Sequence, residues 1–262
     1  MLLAIDAGNT HVVIGVHDGK EWKATWRFAT PTLGTEDDLK AKLLPLWHEI
    51  SPSCPLSETV KKIVCASVVP VLNQTIRLLT QKWLNREPFF ISSENLTNLK
   101  VKYDPPSAVG ADRLANALAA RELFGAPSLI VDFGTATTID AVDEEGAYVG
   151  GSIFPGLEVS QESLSQRTAK LPKVEIVVPP SAIGKNTITS LQAGFVFGYA
   201  GAVDALVKKM RAELISSSTT DAKVNVLATG GLAPVIAPLC KEVEQVVPLL
   251  TLEGLRIAAD NF

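Results

Sequence analysis

The chain has 262 residues, 47% of them hydrophobic and 20% charged, with a net charge of −4. This length suits one large or two modest domains, and the apolar content is sufficient for a hydrophobic core that needs no stabilising disulfide or metal. The sequence has no basic block, which disfavours a nucleic-acid-binding surface, and three scattered cysteines indicate reduced thiols. The first residues have neither the charged region nor the long apolar segment of a signal peptide, so we expect a cytoplasmic protein.

The first predicted element is an apolar strand that ends at Asp6, and residues 11–16 predict its antiparallel neighbour. Between them, Gly8 permits close backbone approach, while Asn9, Thr10 and the loop amides can donate to an anion. Asp6 would repel a phosphate unless a cation lay between them, so the loop indicates a metal-nucleotide site. The same residues also suit an ordinary β-hairpin in which the polar side chains serve the turn.

Strands and helices then alternate through the rest of the first half. The pattern predicts a strand over 21–28, a helix over 35–50, a strand over 62–69, a helix over 71–85 and a short strand over 89–91. This succession after a β-meander favours an α/β domain with a mixed sheet.

A loop with two prolines and a glycine leads directly into the next predicted helix, residues 114–124, whose apolar residues recur at helical spacing. Asp112 and Arg113 therefore lie at a helix N-terminus. The helix dipole favours an acid there, and no further role is required. The functional alternative is a general base beside an anion-binding arginine, with Asp112 taking a proton from a hydroxyl and Arg113 binding a carboxylate.

The layout of the first strand and loop recurs half a chain later. Apolar residues 128–131 lead into Asp132 and Gly134, which match Asp6 and Gly8 at one constant offset. Each loop is followed by a strand, a turn and a further strand. The recurrence indicates an internal duplication, and two such loops facing each other would hold a polyphosphate.

The second half continues with predicted strands over 147–154 and 174–178, and a helix that starts at Leu157. A long helix, residues 190–214, contains several glycines, each of which costs roughly 1 kcal/mol relative to alanine. Close approach of another helix would offset this cost, either across a dimer or within one subunit. Because Gln192, three glycines and Asp204 interrupt its apolar part, we expect no membrane span.

The last predicted strand, residues 224–229, ends in two glycines, and a final helix covers 252–261. Such a strand end is typical of a simple turn, and it also suits backbone contact with a flat ligand such as a nucleoside.

The paired Asp-x-Gly loops and the late Thr-Gly-Gly resemble the duplicated ribonuclease-H-like fold of actin, Hsp70 and sugar kinases. Within that superfamily, the chain resembles the type III pantothenate kinases over almost its whole length. The matching segments, in the family's order, are residues 6–10, 110–113, 132–138, 184–187 and 252–255. The resemblance implies an α/β protein with two mixed-sheet domains and flanking helices, which we place at residues 1–125 and 126–262.

The resemblance also implies a function: ATP-dependent phosphorylation of pantothenate to 4'-phosphopantothenate, the first step of coenzyme A biosynthesis. It implies Asp112 as the general base, Mg²⁺ as a cofactor, and Asp132 as the ligand of a monovalent cation, K⁺ or NH₄⁺. The implied ATP-binding residues are Asp6, Ala7, Gly8, Asn9, Thr10, His11, Val12, Val13 and Thr135. The implied pantothenate pocket consists of Tyr103, Gly110, Ala111, Asp112, Arg113 and, from the partner subunit of a homodimer, Thr187.

Two other functions are considered beside this one. The first is another small-molecule kinase, or a phosphatase relative, acting on sugars, acetate or polyphosphate. The second is a non-enzymatic, nucleotide-binding transcriptional accessory factor. The negative net charge and the lack of a DNA-reading motif disfavour that regulator.

Overall fold

The computed structural model describes residues 1–53, 55–217 and 223–262. These residues form two compact units: Met1–Ala119 with Leu250–Phe262, and Ala120–Leu249. Ten strands are described, β1 to β10: Leu2–Ala7, His11–His17, Trp22–Ala29, Lys62–Ser67, Phe89–Phe90, Ser128–Phe133, Ala136–Val142, Tyr148–Pro155, Asn225–Thr229 and Gln245–Val246. Eight α-helices are described, α1 to α8: Glu36–Ile50, Leu56–Thr59, Pro70–Leu79, Ala111–Phe124, Leu157–Arg167, Thr187–Ser216, Ala233–Ile236 and Leu250–Ala259.

The first unit is built on a five-stranded mixed sheet in the order β3-β2-β1-β4-β5. β1 pairs antiparallel with β2 and parallel with β4. Its residues from Leu3 to Ile5 are completely buried, because the central strand is covered on both faces. Helix α1 begins with a capping box between Thr35 and Asp38, and its first turn is acidic, which the helix dipole favours.

The second unit repeats this arrangement with a sheet in the order β10-β9-β6-β7-β8. β6 pairs antiparallel with β7 and parallel with β9, so it takes the place of β1. Buried and exposed residues follow one another in the same order in β1 and β6, and likewise in β2 and β7. An irregularity in register falls at equivalent places, between Val16 and His17 and between Ala141 and Val142. The internal duplication therefore extends to strand order and register.

The last helix, α8, belongs to the first unit. It packs against β1 and β4, and the indole N–H of Trp22 donates to the Glu253 carboxylate at 2.7 Å. Gly254 lies so close to α4 that a Cβ there would overlap the backbone of Ala115. The division between the units thus differs from the predicted one: it falls within α4, and α8 returns to the first unit instead of completing the second.

The strand predicted over 174–178 does not form, and this expectation was wrong. The segment is irregular in the structure, between α5 and α6. The N–H of Val174 donates to the side chain of Gln161, and the carbonyl of Glu175 accepts from the side chain of Gln192 at 3.1 Å. Side chains of the flanking helices therefore satisfy backbone groups that a neighbouring strand would otherwise bind.

Helix α6 is longer than predicted. By length and composition it could cross a membrane, which is weak evidence because core helices pass the same test. One face packs into the core of the second unit through Val196, Ala200, Val203 and Val207. The helix is therefore a core element of the second unit along this face.

Candidate active site

The turn between β1 and β2, residues 8–11, is tied to the first residue after β3. The N–H of Thr30 donates to the carbonyl of Thr10 at 2.9 Å, and its hydroxyl donates to the carbonyl of Gly8 at 2.6 Å. Gly8 closes the turn by donating its N–H to the carbonyl of His11 at 3.0 Å. These bonds fix the shape of the turn, which we call the first phosphate loop.

The turn between β6 and β7, residues 134–136, is the second phosphate loop, and it is held in a related way. Gly156, the first residue after β8, donates its N–H to the carbonyl of Thr135 at 3.0 Å. A Cβ at Gly156 would overlap the carbonyl oxygens of Gly134 and Thr135. Only glycine therefore allows this segment to lie directly against the loop.

Thr30 and Gly156 were missed as site residues in the sequence. They occupy equivalent positions, since each follows the last paired residue of the third strand in its sheet. The separation of 126 residues that relates Asp6 to Asp132 also relates Thr30 to Gly156. Extending the internal repeat beyond the Asp-x-Gly loops would have found this pair, although the residue types differ.

The two loop aspartates lie at the carboxyl ends of central strands. Asp6 is next to Ala66 of β4, and Asp132 is next to Thr229 of β9, in parallel pairs. Both side chains are partly exposed. In open α/β sheets, ligands bind outside the carboxyl ends of the parallel strands, and both carboxylates lie at such an edge.

Two glycines make room for the carboxylate of Asp132. A Cβ at Gly230 would lie 2.5 Å from its Oδ1, and a Cβ at Gly134 would lie 3.5 Å from it. Gly230 also has a φ of +94°, which side chains other than glycine rarely adopt. The glycine that ends β9 therefore serves the surroundings of Asp132 as well as the turn.

No group of three or more His, Cys, Asp or Glu side chains that could hold a metal is formed within 1–53, 55–217 and 223–262. This donor set does not suit a divalent ion enclosed by protein ligands. Mg²⁺ bound with ATP needs only one or two carboxylates, since phosphates and water supply the rest. Asp132 offers a single carboxylate beside Gly134 and Gly230, and its one negative charge matches that of a monovalent cation.

Asp112 lies in the first turn of α4, and its side chain folds back toward Gly110. Its Oδ1 accepts the N–H of Arg113 at 2.8 Å. A Cβ added at Gly110 would lie 2.5 Å from the same oxygen, so the glycine leaves room for the carboxylate. Burial raises the pKa of the Asp112 carboxyl, while the Arg113 N–H and guanidinium oppose the rise. A raised pKa brings a carboxylate closer to the operating pH, which suits a general base.

A groove of about 440 Å³ opens beside the start of α4 in the first unit. Serine hydroxyls and small apolar side chains line it together with Gly110 and Ala111. Its lining residues are Ser67, Val68, Ile91, Ser92, Ser93, Glu94, Ser107, Ala108, Val109, Gly110 and Ala111. Such a mixed lining suits a small molecule with both hydroxyl and apolar groups.

Val68 links the groove to the first phosphate loop. Its N–H donates to the carbonyl of Ala7 at 3.1 Å, and its Cγ1 lies 3.4 Å from where a Cβ on Gly110 would be. The first unit therefore brings together the first phosphate loop, the segment that carries Asp112, and a groove lined in part by Gly110 and Ala111.

The other predicted residues are placed as follows. Tyr103 is half-buried in the loop before α4, and Arg113 is only 7% exposed. Ala7 and Val12 have buried side chains, so their contacts with a nucleotide would involve the backbone. Asp132, Thr135 and Thr187 belong to the second unit, where Thr135 is exposed on its loop and Thr187 is exposed at the start of α6.

Two solved structures resemble this fold. One is a Campylobacter jejuni protein named for the Baf family of transcriptional activators, with a TM-score of 0.58, 20% identity, and 99% and 98% of the two chains covered. The other is the activator of 2-hydroxyisocaproyl-CoA dehydratase from Clostridium difficile with bound ADPNP, with a TM-score of 0.50, 14% identity, and 99% and 94% covered. At these identities the likeness concerns the fold alone, and it confirms the predicted duplicated ribonuclease-H-like, actin-like class.

Sequence comparisons are more specific. A type III pantothenate kinase from Moorella thermoacetica is 44% identical over 261 residues, covering 100% of this chain and 99% of that protein. A type III pantothenate kinase from Rubrobacter xylanophilus is 45% identical over 258 residues, covering 98% and 96%. The profile of the type III pantothenate kinase family matches residues 2–209. The chain therefore belongs to the type III pantothenate kinase family.

Proposed function

We propose that this protein transfers the γ-phosphate of ATP to the primary hydroxyl of pantothenate, forming 4'-phosphopantothenate in the first step of coenzyme A biosynthesis. The observation that carries the proposal is the half-buried Asp112 carboxylate, which lies at the start of α4 beside a groove in a chain of this family. Both relatives of 44% and 45% identity have this name, which favours pantothenate over the other acceptors considered above. We place the reaction in the cytoplasm and assign it no nucleic-acid or membrane partner.

In this mechanism, Asp112 accepts a hydrogen bond from the pantothenate hydroxyl, orients it toward the γ-phosphorus and takes its proton as the new P–O bond forms. The bond between the γ-phosphorus and the oxygen bridging it to the β-phosphate breaks, and ADP leaves. Phosphoryl transfer requires positioning and charge stabilisation more than covalent help, so one well-placed base is sufficient. Arg113 is assigned to the pantothenate carboxylate, for which its planar guanidinium is suited. Tyr103, Gly110, Ala111 and Thr187 are assigned to the same pocket.

Residues 6–13 and Thr135 are assigned to ATP. The backbone N–H groups of a glycine-containing turn can donate to phosphate oxygens. Thr30 fixes the shape of the first phosphate loop, and Gly156 fixes that of the second. Mg²⁺ bound to ATP, together with a monovalent cation at Asp132, would offset the repulsion between the loop aspartates and the triphosphate. Asp6 and Asp132 then serve to place positive charge beside the phosphates.

The first test is ADP release from ATP and Mg²⁺ with pantothenate, measured in potassium and again in sodium. We expect turnover in potassium and a loss of at least about tenfold in sodium, because a site suited to K⁺ binds the smaller ion less well. Asp132→Asn should remove most of this difference, since its amide has no negative charge. Asp37→Asn, an exposed change of the same type in α1, should keep the potassium response.

Two results would contradict these assignments. Equal turnover of the unaltered protein in both salts would exclude the monovalent site while keeping the kinase. No pantothenate-dependent ADP release in either salt would exclude pantothenate as the acceptor.

We further propose a homodimer that forms through α6 and supplies Thr187 to the partner's site. Among the residues that the structure describes, Cβ atoms added at Gly194, Gly198 and Gly201 would meet no atom within 4 Å outside the neighbouring backbone of α6 itself. These glycines lie in an exposed stripe of small residues along α6: Ser190, Gly194, Gly198, Gly201, Ala202 and Ala205. Such a stripe permits close helix–helix contact, which offsets the roughly 1 kcal/mol cost of each glycine.

Gly198→Trp tests the dimer. Gly198 is exposed, and a Cβ added there meets no atom of the described chain outside its own helix within 4 Å. We therefore expect the variant to fold but to sediment as a monomer with at least about tenfold lower turnover. Sedimentation velocity and circular dichroism measure the two effects. A folded variant that remains dimeric, or an unaltered protein that is monomeric at micromolar concentration, would contradict the proposed interface.

A further inference from the structure

Tyr199 of α6 is hydrogen-bonded to Pro155, the residue before the glycine that binds the second phosphate loop. The hydroxyl of Tyr199 donates to the carbonyl of Pro155, and the hydroxyl of Ser160 lies 2.7 Å from the same Tyr199 oxygen. Because Tyr199 has one proton and gives it to Pro155, Ser160 must be the donor in the second bond. Burial raises the pKa of Tyr199, so the phenol stays protonated and acts as a donor at neutral pH.

The support continues through the backbone to the loop. Pro155 is followed by Gly156, whose N–H donates to the carbonyl of Thr135 at 3.0 Å. The carbonyl of Gly156 in turn accepts the N–H of Ser160 at 2.9 Å. The Pro155 carbonyl and the Gly156 N–H belong to the same peptide group. A displacement of this carbonyl would therefore also move the N–H that binds the Thr135 carbonyl in the loop.

The two phosphate loops differ in how they are held. In the first loop, Thr30 uses both its N–H and its hydroxyl, which bind the carbonyls of Thr10 and Gly8. The equivalent residue of the second loop, Gly156, has no side chain. In the part of the chain that the structure describes, the Tyr199 hydroxyl binds the peptide between Pro155 and Gly156, so Tyr199 restrains the support of the second loop as the Thr30 hydroxyl restrains the first loop.

We propose that Tyr199 is a positioning residue for the nucleotide: by fixing the Pro155 carbonyl, it keeps the second phosphate loop in the shape that binds ATP. This inference rests on the proposed function, which assigns Thr135 to ATP. It adds a residue from α6, far from the loop in sequence, to the determinants of nucleotide affinity. Tyr199 itself does not contact substrate in this proposal.

Tyr199→Phe tests the inference while keeping the ring, which packs 5.8 Å from that of Phe154 between centroids. We expect the KM for ATP and the Kd for ADP to rise by about 2- to 10-fold, the range that corresponds to one lost neutral hydrogen bond. The KM for pantothenate at saturating ATP should stay unchanged, because that pocket is assigned to other residues. A purely structural role would lower the unfolding temperature without separating the two KM values.

Tyr148→Phe is the matched control. Its hydroxyl donates to the buried Asp140 carboxylate at 2.9 Å, at the opposite end of β8 from Pro155. This variant should lose stability and keep the ADP affinity of the unaltered protein. Ser160→Ala provides a milder second test, since it removes only the donor to Tyr199, and should raise the Kd for ADP less than Tyr199→Phe does.

Direct ADP binding by calorimetry separates this inference from the proposed function, because it does not require pantothenate. Unchanged ADP affinity in both Tyr199→Phe and Ser160→Ala overturns the positioning role, whatever the acceptor is. An equal loss of ADP affinity in Tyr148→Phe also overturns it. A protein that binds ADP with the expected pattern but does not phosphorylate pantothenate would support Tyr199 and overturn the acceptor.

Discussion

Replacing Asp112 with asparagine is expected to lower kcat by roughly 10²-fold or more, the usual scale for a lost general base. The amide has nearly the same shape, but it cannot take the proton of the pantothenate hydroxyl. The KM for ATP should stay within about twofold, because the first phosphate loop is held by Thr30 and not by Asp112. Initial rates of ADP release at varied ATP and varied pantothenate measure these values.

The pH profile gives an independent check of the same residue. Burial raises the pKa of the Asp112 carboxyl. In the unaltered protein, kcat/KM should therefore fall as the pH drops through this raised pKa, since a protonated carboxyl is no base. Asp112→Asn should lack this acidic limb. Near-normal turnover in the variant, or an unchanged acidic limb, would exclude Asp112 as the base.

A stability measurement controls for misfolding of this variant. Because the pKa of Asp112 is raised in the folded state, its ionised form is less stable there than in the unfolded chain, and the cost is present at pH values above the raised pKa. Asparagine has no such cost, so the unfolding midpoint of Asp112→Asn at neutral pH should equal or exceed that of the unaltered protein. The gain should shrink as the pH falls through the raised pKa.

Gly156→Ala is expected to weaken nucleotide binding by about tenfold or more. The added methyl would overlap two backbone oxygens of the second phosphate loop, so either the loop or the β8 end must shift. Backbone carbonyls cannot rotate away as the end of a flexible side chain can. The φ of Gly156 is −67°, which alanine adopts readily, so the effect comes from the collision and not from backbone strain.

The control for this variant is Gly34→Ala, where the new methyl would lie 3.6 Å from the nearest carboxylate oxygen, an ordinary contact. ADP affinity by calorimetry, with thermal unfolding in parallel, compares the two variants. A Gly156→Ala protein with unaltered ADP affinity would show that the second phosphate loop does not determine nucleotide binding. An equal loss in Gly34→Ala would show that the effect is not specific to the loop.

Several features of the fold are readable from local sequence because they depend on short-range patterns. The apolar runs before Asp6 and Asp132 predict the central strands, and the constant spacing between the two loops predicts the duplication. The start of α4 near Asp112 follows from helical periodicity and from the preference of acids for a helix N-terminus. The resemblance then supplied the family, which the comparisons confirm.

Other features depend on contacts between residues distant in sequence. No local pattern predicts that α8 returns to β1 and β4, because its apolar face would suit the sheet of either unit. The segment 174–178 has the composition of a strand, but the side chains of Gln161 and Gln192 bind its backbone groups in place of a neighbouring strand. Backbone hydrogen bonds have several competing partners, and only packing decides among them.

The sequence by itself determined the strand and helix pattern, the duplicated Asp-x-Gly loops and the position of Asp112, since each is written in residues close together along the chain. The tertiary structure alone decided what surrounds them: Thr30 and Gly156 against the loops, Tyr199 behind Pro155, and the glycines that make room for Asp112 and Asp132. The physical reason is that a hydrogen bond or a collision depends on distance in space. Burial, which raises the pKa of Asp112, likewise exists only once the chain has folded.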